Sequence, residues 1–190
     1  MYYVTNYESP LGRIELASNG DELVGMWMEN QKYFRGSILE QDIERKDNHS
    51  VLLTAVHWLD SYFAGEKPEI MKLPLVLIGS EFRKKVWNIL CEIPYGATMT
   101  YGEIAKRIAR ESGKSRMSAQ AVGGAVGHNP ISIIIPCHRV VGTDGSLTGY
   151  AGGLTKKLWL LNHEGADLGH LSVPSEFVLR SRQEINVKTS

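Results

Sequence analysis

The chain has 190 residues, of which 43% are hydrophobic and 22% are charged, proportions that are ordinary for a soluble globular protein. Its 21 basic and 21 acidic side chains cancel, but residues 1–79 carry an excess of five negative charges and residues 80–139 an excess of five positive charges. The longest apolar runs are too short to span a bilayer and the N-terminus does not resemble a signal peptide, so we expect a cytoplasmic protein without membrane contact.

The first third of the chain is predicted to form strands. Residues 2–7 are aromatic and β-branched, and residues 13–17 and 22–27 flank Asn19-Gly20. This dipeptide is typical of a hairpin turn, because both of its residues tolerate a positive φ. The polar residues 40–48 that follow are predicted to be a loop or a frayed helix.

A first helix is predicted to begin at Ser50, which can cap it, and to end before Gly65. Apolar residues recur between them at helical spacing. Residues 73–78 are a short apolar strand or linker close to two prolines, and they are a plausible domain boundary. The sequence therefore predicts an N-terminal domain of sheet plus helix over residues 1–79.

Three further helices are predicted over residues 80–93, 100–110 and 118–126. Each begins at a residue with a hydroxyl group that can cap it, and the second has the capping-box spacing of Thr followed by Glu three positions later. The basic turn at residues 111–116 joins the last two helices. This pair of helices, in the positively charged part of the chain, resembles a helix-turn-helix.

Residues 131–135 are nearly all β-branched and are predicted to form a short strand. A glycine-rich loop at residues 148–153 precedes a last helix over residues 156–163, which Gly165 ends. The predicted fold class is α/β of the α+β kind. It comprises the sheet-plus-helix domain at 1–79, a mainly helical domain with a helix-turn-helix and a candidate active-site cysteine at 80–170, and an extension or tail at 171–190, loose at 185–190.

The segment Pro136-Cys137-His138-Arg139 is the most informative for chemistry. Pro136 has a fixed φ and no backbone donor, so it can present the next side chain at the end of a strand. Cysteine reacts as the thiolate, which the neighbouring His138 and Arg139 could stabilise, so we expect the pKa of Cys137 to lie below its ordinary value. On these residues alone, an inert buried cysteine is the better interpretation, because free cysteines are commonly buried.

Residues 136–140 resemble the active-site signature of the O6-alkylguanine-DNA alkyltransferases. The similarity is close over residues 80–165 and loose before them. Five separated segments resemble this family in order and spacing, and they are residues 121–125, 129–130, 135–141, 149–154 and 160–165.

The resemblance implies a role for each matching residue. Cys137 would be the nucleophile, His138 the base that takes the thiol proton through a water, and Glu164 the group that orients His138. Tyr101 would donate a hydrogen bond to the departing base. The residues alone would leave Glu164 as an acid at a helix C-terminus, where the dipole disfavours it, and Tyr101 as a core aromatic.

Other matching residues would shape the pocket. Asn129 would tie the helix-turn-helix to the active-site loop, although an Asn-Pro turn is an equally ordinary reason for it. Tyr150 would line the pocket for the alkyl group and the base. Arg139 would be buried and paired rather than catalytic. The remaining pocket or structural residues are Pro136, Gly152 and Gly153.

The partner implied is double-stranded DNA that contains O6-alkylguanine, and O4-alkylthymine is a further expected substrate. The target base must be flipped out of the stack, with the second helix of the motif in the minor groove. The thioether product cannot be reversed, so the chain would be consumed, as a monomer and without a cofactor. The expected DNA-binding residues are Arg116, Ser118, Gln120, Ala121, Gly123 and Gly124.

Two features depart from the family pattern. Gln120 stands where the family commonly has an arginine that fills the gap left by the flipped base, and the turn between the two helices is longer than in shorter relatives. Some relatives hold zinc in their N-terminal part, but residues 1–79 offer no cysteine and only His49 and His57. A closed zinc site needs four ligands, so we expect no metal.

Three other functions compete with this one, and each makes a different demand on the sequence or the reaction. A binding module that recognises alkylated bases would lack the cysteine, which is present here. A helix-turn-helix regulator would need a dimerisation element or an effector domain, and the sequence has no sign of either. A Cys-His hydrolase would turn over many times, whereas an alkyltransferase stops after one equivalent.

Overall fold

The computed structural model describes residues 1–36, 38, 42–169 and 171–172. It has the predicted α+β architecture, with a sheet and one helix in the N-terminal part and mainly helices after residue 80. Within these residues no helix is long and apolar enough to cross a membrane. The expected loose tail at 185–190 lies outside the described residues.

The N-terminal sheet contains the strands β1 (Tyr2–Ser9), β2 (Gly12–Ser18), β3 (Leu23–Met28) and β4 (Ile43–Arg45), in the order β3-β2-β1-β4. Its first three strands form an antiparallel meander. The Asn19 side chain closes the predicted hairpin by accepting from the backbone N–H groups of Asp21 and Glu22. The three predicted strands are confirmed as β1 (Tyr2–Ser9), β2 (Gly12–Ser18) and β3 (Leu23–Met28).

The prediction of a loop or frayed helix at residues 40–48 is wrong in part, because β4 (Ile43–Arg45) pairs in parallel with the edge of β1. Such a short edge strand is stabilised by its neighbour rather than by its own pattern of residues. Ile43 packs against the same small apolar cluster as Val4.

Helix α1 (Ser50–Phe63) packs on the sheet through Leu52, Ala55 and Leu59. The prediction that Ser50 caps it is wrong. His49 is the N-cap residue, makes no capping hydrogen bond with its side chain, and stacks on Tyr3 with ring centroids 4.8 Å apart.

The helices after residue 80 begin where the sequence predicts. The side chains of Ser80, Thr100 and Ser118 cap α2 (Glu81–Cys91), α3 (Tyr101–Glu111) and α4 (Ala119–Gly127), and Thr100 forms the predicted capping box with Glu103. The last helix, α5 (Leu154–His163), ends before Gly165, whose φ is 69°.

Residues 73–78 do not form a regular strand, but they make one parallel bridge to β3 through Leu23. Two further short strands that the sequence did not predict, β5 (Met99–Thr100) and β6 (Val140–Val141), pair in parallel beside α3. One continuous core joins both parts of the molecule, and it includes Met26, Leu52, Leu90, Ile104, Ile135 and Leu160.

The prediction of a strand over residues 131–135 is wrong. Only Ile131 bridges to β3, after which the chain turns, with the N–H of Ile135 donating to the carbonyl of Ile131. Ile133 has a φ of 69°, a left-handed conformation that is unfavourable for a β-branched residue. All five side chains are buried. Packing in the core therefore overrides their preference for a strand.

Candidate active site

Cys137, His138 and Arg139 form a single 3-10 turn between the buried turn at 131–135 and β6. The N–H of Cys137 donates to the carbonyl of Ile135, and that of Arg139 to the carbonyl of Pro136. The exposed fractions of the three residues are 3%, 0% and 7%. Each of these polar side chains therefore needs a partner inside the protein.

Asn129 holds the thiol in place. Its side-chain amide donates to the Sγ atom of Cys137 at 3.1 Å and to the carbonyl of Ile135 at 2.8 Å, and its Oδ1 atom accepts from the N–H of Ile131. Because Asn129 follows α4 directly, these bonds connect the second helix of the helix-turn-helix to the active-site turn.

The expectation of a lowered thiol pKa is wrong. Burial raises the pKa of Cys137, against the opposing effects of the hydrogen bond from Asn129 and the charge of Lys157. The resting side chain is therefore a protonated thiol at neutral pH. A reaction at its Sγ atom requires a base that removes the proton.

His138 has the protonation state of such a base. Its Nε2 atom lies 2.7 Å from Oε1 of Glu164, and because an ionised carboxylate can only accept, Nε2 carries the proton. Nδ1 is buried and makes no hydrogen bond to the described part of the chain. Burial lowers the pKa of His138, against the effect of Glu164, so the ring is neutral and Nδ1 can accept a proton.

The carboxylate of Glu164 is surrounded by donors. Oε1 accepts from His138, from the Tyr62 hydroxyl at 2.7 Å and from Nη2 of Arg139 at 3.0 Å. Oε2 accepts from Nε of Arg139 at 2.8 Å and from the N–H of Gly96 at 3.1 Å. Burial raises the pKa of Glu164, but the hydrogen bonds from His138 and Arg139 and the charge of Arg139 outweigh it and hold the pKa well below its ordinary value.

Arg139 is buried and paired, as the resemblance implied. Besides Glu164, its guanidinium donates to the carbonyl of Ile93 and lies over the Tyr95 ring, 5.7 Å from its centroid. Gly96, close by, has a φ of 76°, and a Cβ atom there would lie 2.7 Å from the backbone oxygen of Glu164. Only glycine fits at this position.

Tyr101 is the first residue of α3, and its hydroxyl donates to the carbonyl of Thr148 at 3.0 Å. Burial and the nearby Cys137 raise its pKa to about 12. A Cβ atom at Gly149 would lie 2.7 Å from the Tyr101 hydroxyl, so glycine there gives Tyr101 room beside the glycine-rich loop. A hydrogen bond from Tyr101 to a departing base would require its hydroxyl to change partner.

Tyr150 lies close enough to the thiol that burial and Cys137 together raise its pKa well above the ordinary value. Its hydroxyl is buried and has no hydrogen-bond partner among the described residues. Gly152 gives it room, since a Cβ atom there would lie 2.8 Å from the Tyr150 ring, and Gly153, with a φ of 91°, begins α5. Tyr150 therefore lies near the thiol of Cys137.

Most of the expected DNA-binding residues lie at the surface, on α4 or just before it. Arg116, Ser118, Gln120, Ala121 and Gly124 are exposed, and Gly123 is half-buried. A Cβ atom at Gly124 would meet nothing within 4 Å, so the backbone of α4 is open to close approach there.

A cleft of about 560 Å³ lies between the glycines of α4 and the glycine-rich loop. Sequence reasoning missed one of its walls, which comes from the N-terminal part of the chain. Lys32 and Tyr33 line it, with Tyr33 stacked on His128 at a centroid distance of 3.9 Å and the N–H of Lys32 donating to Ala151. The cleft is bounded on another side by Tyr150.

Sequence reasoning also missed Lys157, which is fully buried. Its ammonium group donates to the carbonyls of Val140 and Thr148. Burial lowers its pKa to about 8, against the effect of Cys137. A usable signal was present, because Lys157 precedes Leu160 and Leu161 by three and four positions and so lies on the apolar face of α5.

In the part of the chain that the structure describes, no three or more His, Cys, Asp or Glu side chains are grouped so that they could hold a metal ion.

Comparisons with known proteins agree over nearly the whole chain. The family model described as 6-O-methylguanine DNA methyltransferase, ribonuclease-like domain, matches residues 1–77, and that described as 6-O-methylguanine DNA methyltransferase, DNA binding domain, matches residues 81–166. A methylated-DNA–protein-cysteine methyltransferase of Methanosarcina acetivorans is 46% identical over 170 residues, covering 87% of this chain and 99% of the relative. One of Mycobacterium leprae is 41% identical, covering 86% and 93%.

A crystal structure of Mycobacterium tuberculosis OGT in complex with DNA superposes with a TM-score of 0.74 at 40% identity, covering 87% of this chain and 96% of that one. The sequence matches cover both halves of the chain, and the structural match points to the same family. The chain therefore belongs to the 6-O-methylguanine DNA methyltransferase family.

Proposed function

We propose that the chain repairs alkylated DNA directly, by transferring the alkyl group of O6-alkylguanine, and of O4-alkylthymine, to Cys137. The observation that carries this proposal is the buried thiol of Cys137, held by Asn129 beside a neutral His138 that Glu164 orients. The relatives' names support the reaction class, and the complex of a relative with DNA supports DNA as the partner.

The transfer follows from the protonation states. Nδ1 of His138 takes the thiol proton through one water, and the Sγ atom attacks the alkyl carbon. An S–C bond forms as the C–O6 bond breaks, and the electron pair of that bond stays on the base. Tyr101 donates a hydrogen bond as the base leaves, and a proton taken up from solvent makes the base neutral. His138 then releases the thiol proton to solvent. The thioether has no nearby group that could hydrolyse it, so Cys137 reacts once.

The substrate would be a nucleotide flipped out of duplex DNA into the cleft beside Tyr150. Helix α4 would enter the minor groove, with its glycines allowing the close approach. We further propose a cytoplasmic monomer that uses no cofactor. We also retain the proposed division into domains at 1–79 and 80–170, with an extension at 171–190, and the extents of the two family matches support its first boundary.

The experiment that tests the proposal is a titration of the protein with excess duplex containing one O6-methylguanine. We expect repaired duplex to reach a plateau at one equivalent per chain. Continued turnover would contradict the proposal and favour the Cys-His hydrolase.

Gln120→Arg is expected to raise the transfer rate on duplex DNA more than on single strands. Gln120 is exposed near the start of α4, where a side chain could fill the gap left by the flipped base. Arginine would add a planar cation, so the salt dependence of binding should steepen by up to about one phosphate contact. Single-turnover rates on both substrates at several salt concentrations measure this.

Two further variants separate the possible origins of the effect. Gln120→Ala should lose duplex activity selectively if Gln120 fills the gap. Arg116 and Lys114, both exposed in the preceding turn, are the alternative occupants. A selective loss in Arg116→Ala, with little change in both Gln120 variants, would contradict the role of Gln120.

A further inference from the structure

One donor to Glu164 comes from the other half of the molecule. Tyr62 lies on α1, 102 positions before Glu164, and its hydroxyl donates to Oε1 at 2.7 Å. His138 binds the same oxygen, also at 2.7 Å. Tyr62 is only 1% exposed, so its hydroxyl cannot exchange this bond for one to bulk solvent. The N-terminal part of the chain therefore contacts the carboxylate that orients the base.

Tyr62 is itself firmly held. Its ring stacks on Trp58 with a centroid distance of 5.5 Å and meets the edge of Tyr95 at 6.0 Å. Its backbone carbonyl also lies 2.8 Å from Nε2 of His163, at the end of α5. A donor fixed in this way restrains the acceptor it binds, whereas the terminal torsion of a glutamate is otherwise soft.

We propose that Tyr62 is a positioning residue for alkyl transfer, whose hydroxyl fixes Oε1 of Glu164 in the orientation that holds His138. This inference rests on the proposed function, because it acts through the His138–Glu164 pair. Arg139 and Gly96 hold Oε2, and Arg139 also donates to Oε1. Tyr62 therefore acts beside Arg139 as the neutral donor that restrains the oxygen facing His138.

The Tyr62 hydroxyl also limits how strongly Glu164 favours the protonated form of His138. A donor that shares Oε1 draws charge from it, so removing the hydroxyl leaves more negative charge facing the imidazole and favours its protonated form. The other titratable groups around this cluster stay in place when only the hydroxyl is removed, and they are Cys91, Tyr95, Cys137, Arg139, Tyr150, Lys157 and His163.

Tyr62→Phe tests the inference with one atom removed. We expect the single-turnover rate at its high-pH plateau to fall by about tenfold, the size of one lost hydrogen bond to a charged group. We also expect the acid limb of the pH–rate profile, where His138 becomes protonated, to move to higher pH. A profile and plateau equal to those of the parent protein would overturn the inference.

Tyr7→Phe is the matched control. Tyr7 also donates from its hydroxyl to a carboxylate, Asp60 on the same helix α1, at 2.9 Å and outside the active site. Loss of the Tyr7 hydroxyl should lower thermal stability without changing the plateau rate or the position of the acid limb of the pH–rate profile. If Tyr62→Phe changes only the melting temperature, as Tyr7→Phe does, its role is merely structural and the inference is wrong.

A double variant decides whether Tyr62 acts through Glu164. In a Glu164→Gln background, Tyr62→Phe should slow transfer little further, because the carboxylate that Tyr62 positions is already lost. The same fold-change in both backgrounds would overturn the inference. An absence of methyl transfer to Cys137 in the parent protein would instead contradict the proposed function, so the two failures are distinguishable.

Discussion

His138→Phe is expected to slow alkyl transfer by about 10²–10⁴-fold, the usual contribution of a general base. The reason is that the thiol of Cys137 is protonated at neutral pH. Burial raises the pKa of Cys137, so little thiolate exists at neutral pH without a group that accepts the proton. Burial also lowers the pKa of His138, which keeps the imidazole neutral and able to accept it. Single-turnover rates on a duplex with one O6-methylguanine measure the loss.

The control for this variant is DNA affinity. His138 is fully buried and faces Glu164 rather than α4, so binding of lesion-free duplex should stay within about twofold of the parent, well below the kinetic effect. Transfer at the parent rate in His138→Phe would show that another group takes the proton. An equal loss of binding and rate would show that the variant is misfolded.

Arg139→Met is expected to destabilise the fold by about 3–5 kcal/mol at neutral pH. It leaves the carboxylate of Glu164 buried without the cation that contacts both of its oxygens. The low folded-state pKa of Glu164 contributes stability that is present above its unfolded pKa of about 4.3 and is lost as the pH falls through the folded value. In the variant the folded pKa rises, so the deficit should shrink below about pH 4.

Denaturant unfolding at neutral and acidic pH measures both parts of this expectation. Arg107→Met is the control, because Arg107 bridges Glu92 and Glu111 at the surface and its loss should cost only about 0–1 kcal/mol. Equal costs for the two arginine variants, or a deficit in Arg139→Met that grows in acid, would contradict the account of Glu164.

Features with a local cause were predictable from the sequence. The caps at Ser80, Thr100 and Ser118 and the turn at Asn19-Gly20 depend on residues within three positions, and all are confirmed. The family resemblance is confirmed as well, because its motifs recur in order.

Features that depend on distant packing were not predictable. The turn at residues 131–135 and the strand β4 are stabilised by neighbours in the core and in β1. The pKa of Cys137 follows from its burial, which adjacency to His138 and Arg139 does not indicate. Tyr62 reaches Glu164 across 102 positions, and nothing in its local sequence marks it as part of the site.

The most direct test of the account is intact-mass analysis with peptide mapping after reaction with excess O6-methylguanine duplex. Cys137 is held by Asn129 beside the proposed base, whereas Cys91 is a half-buried thiol on α2 whose pKa burial raises to about 11. The account predicts a mass gain of one methyl group per chain, located on Cys137. A methyl group on Cys91, more than one per chain, or repaired DNA with an unmodified protein would contradict it.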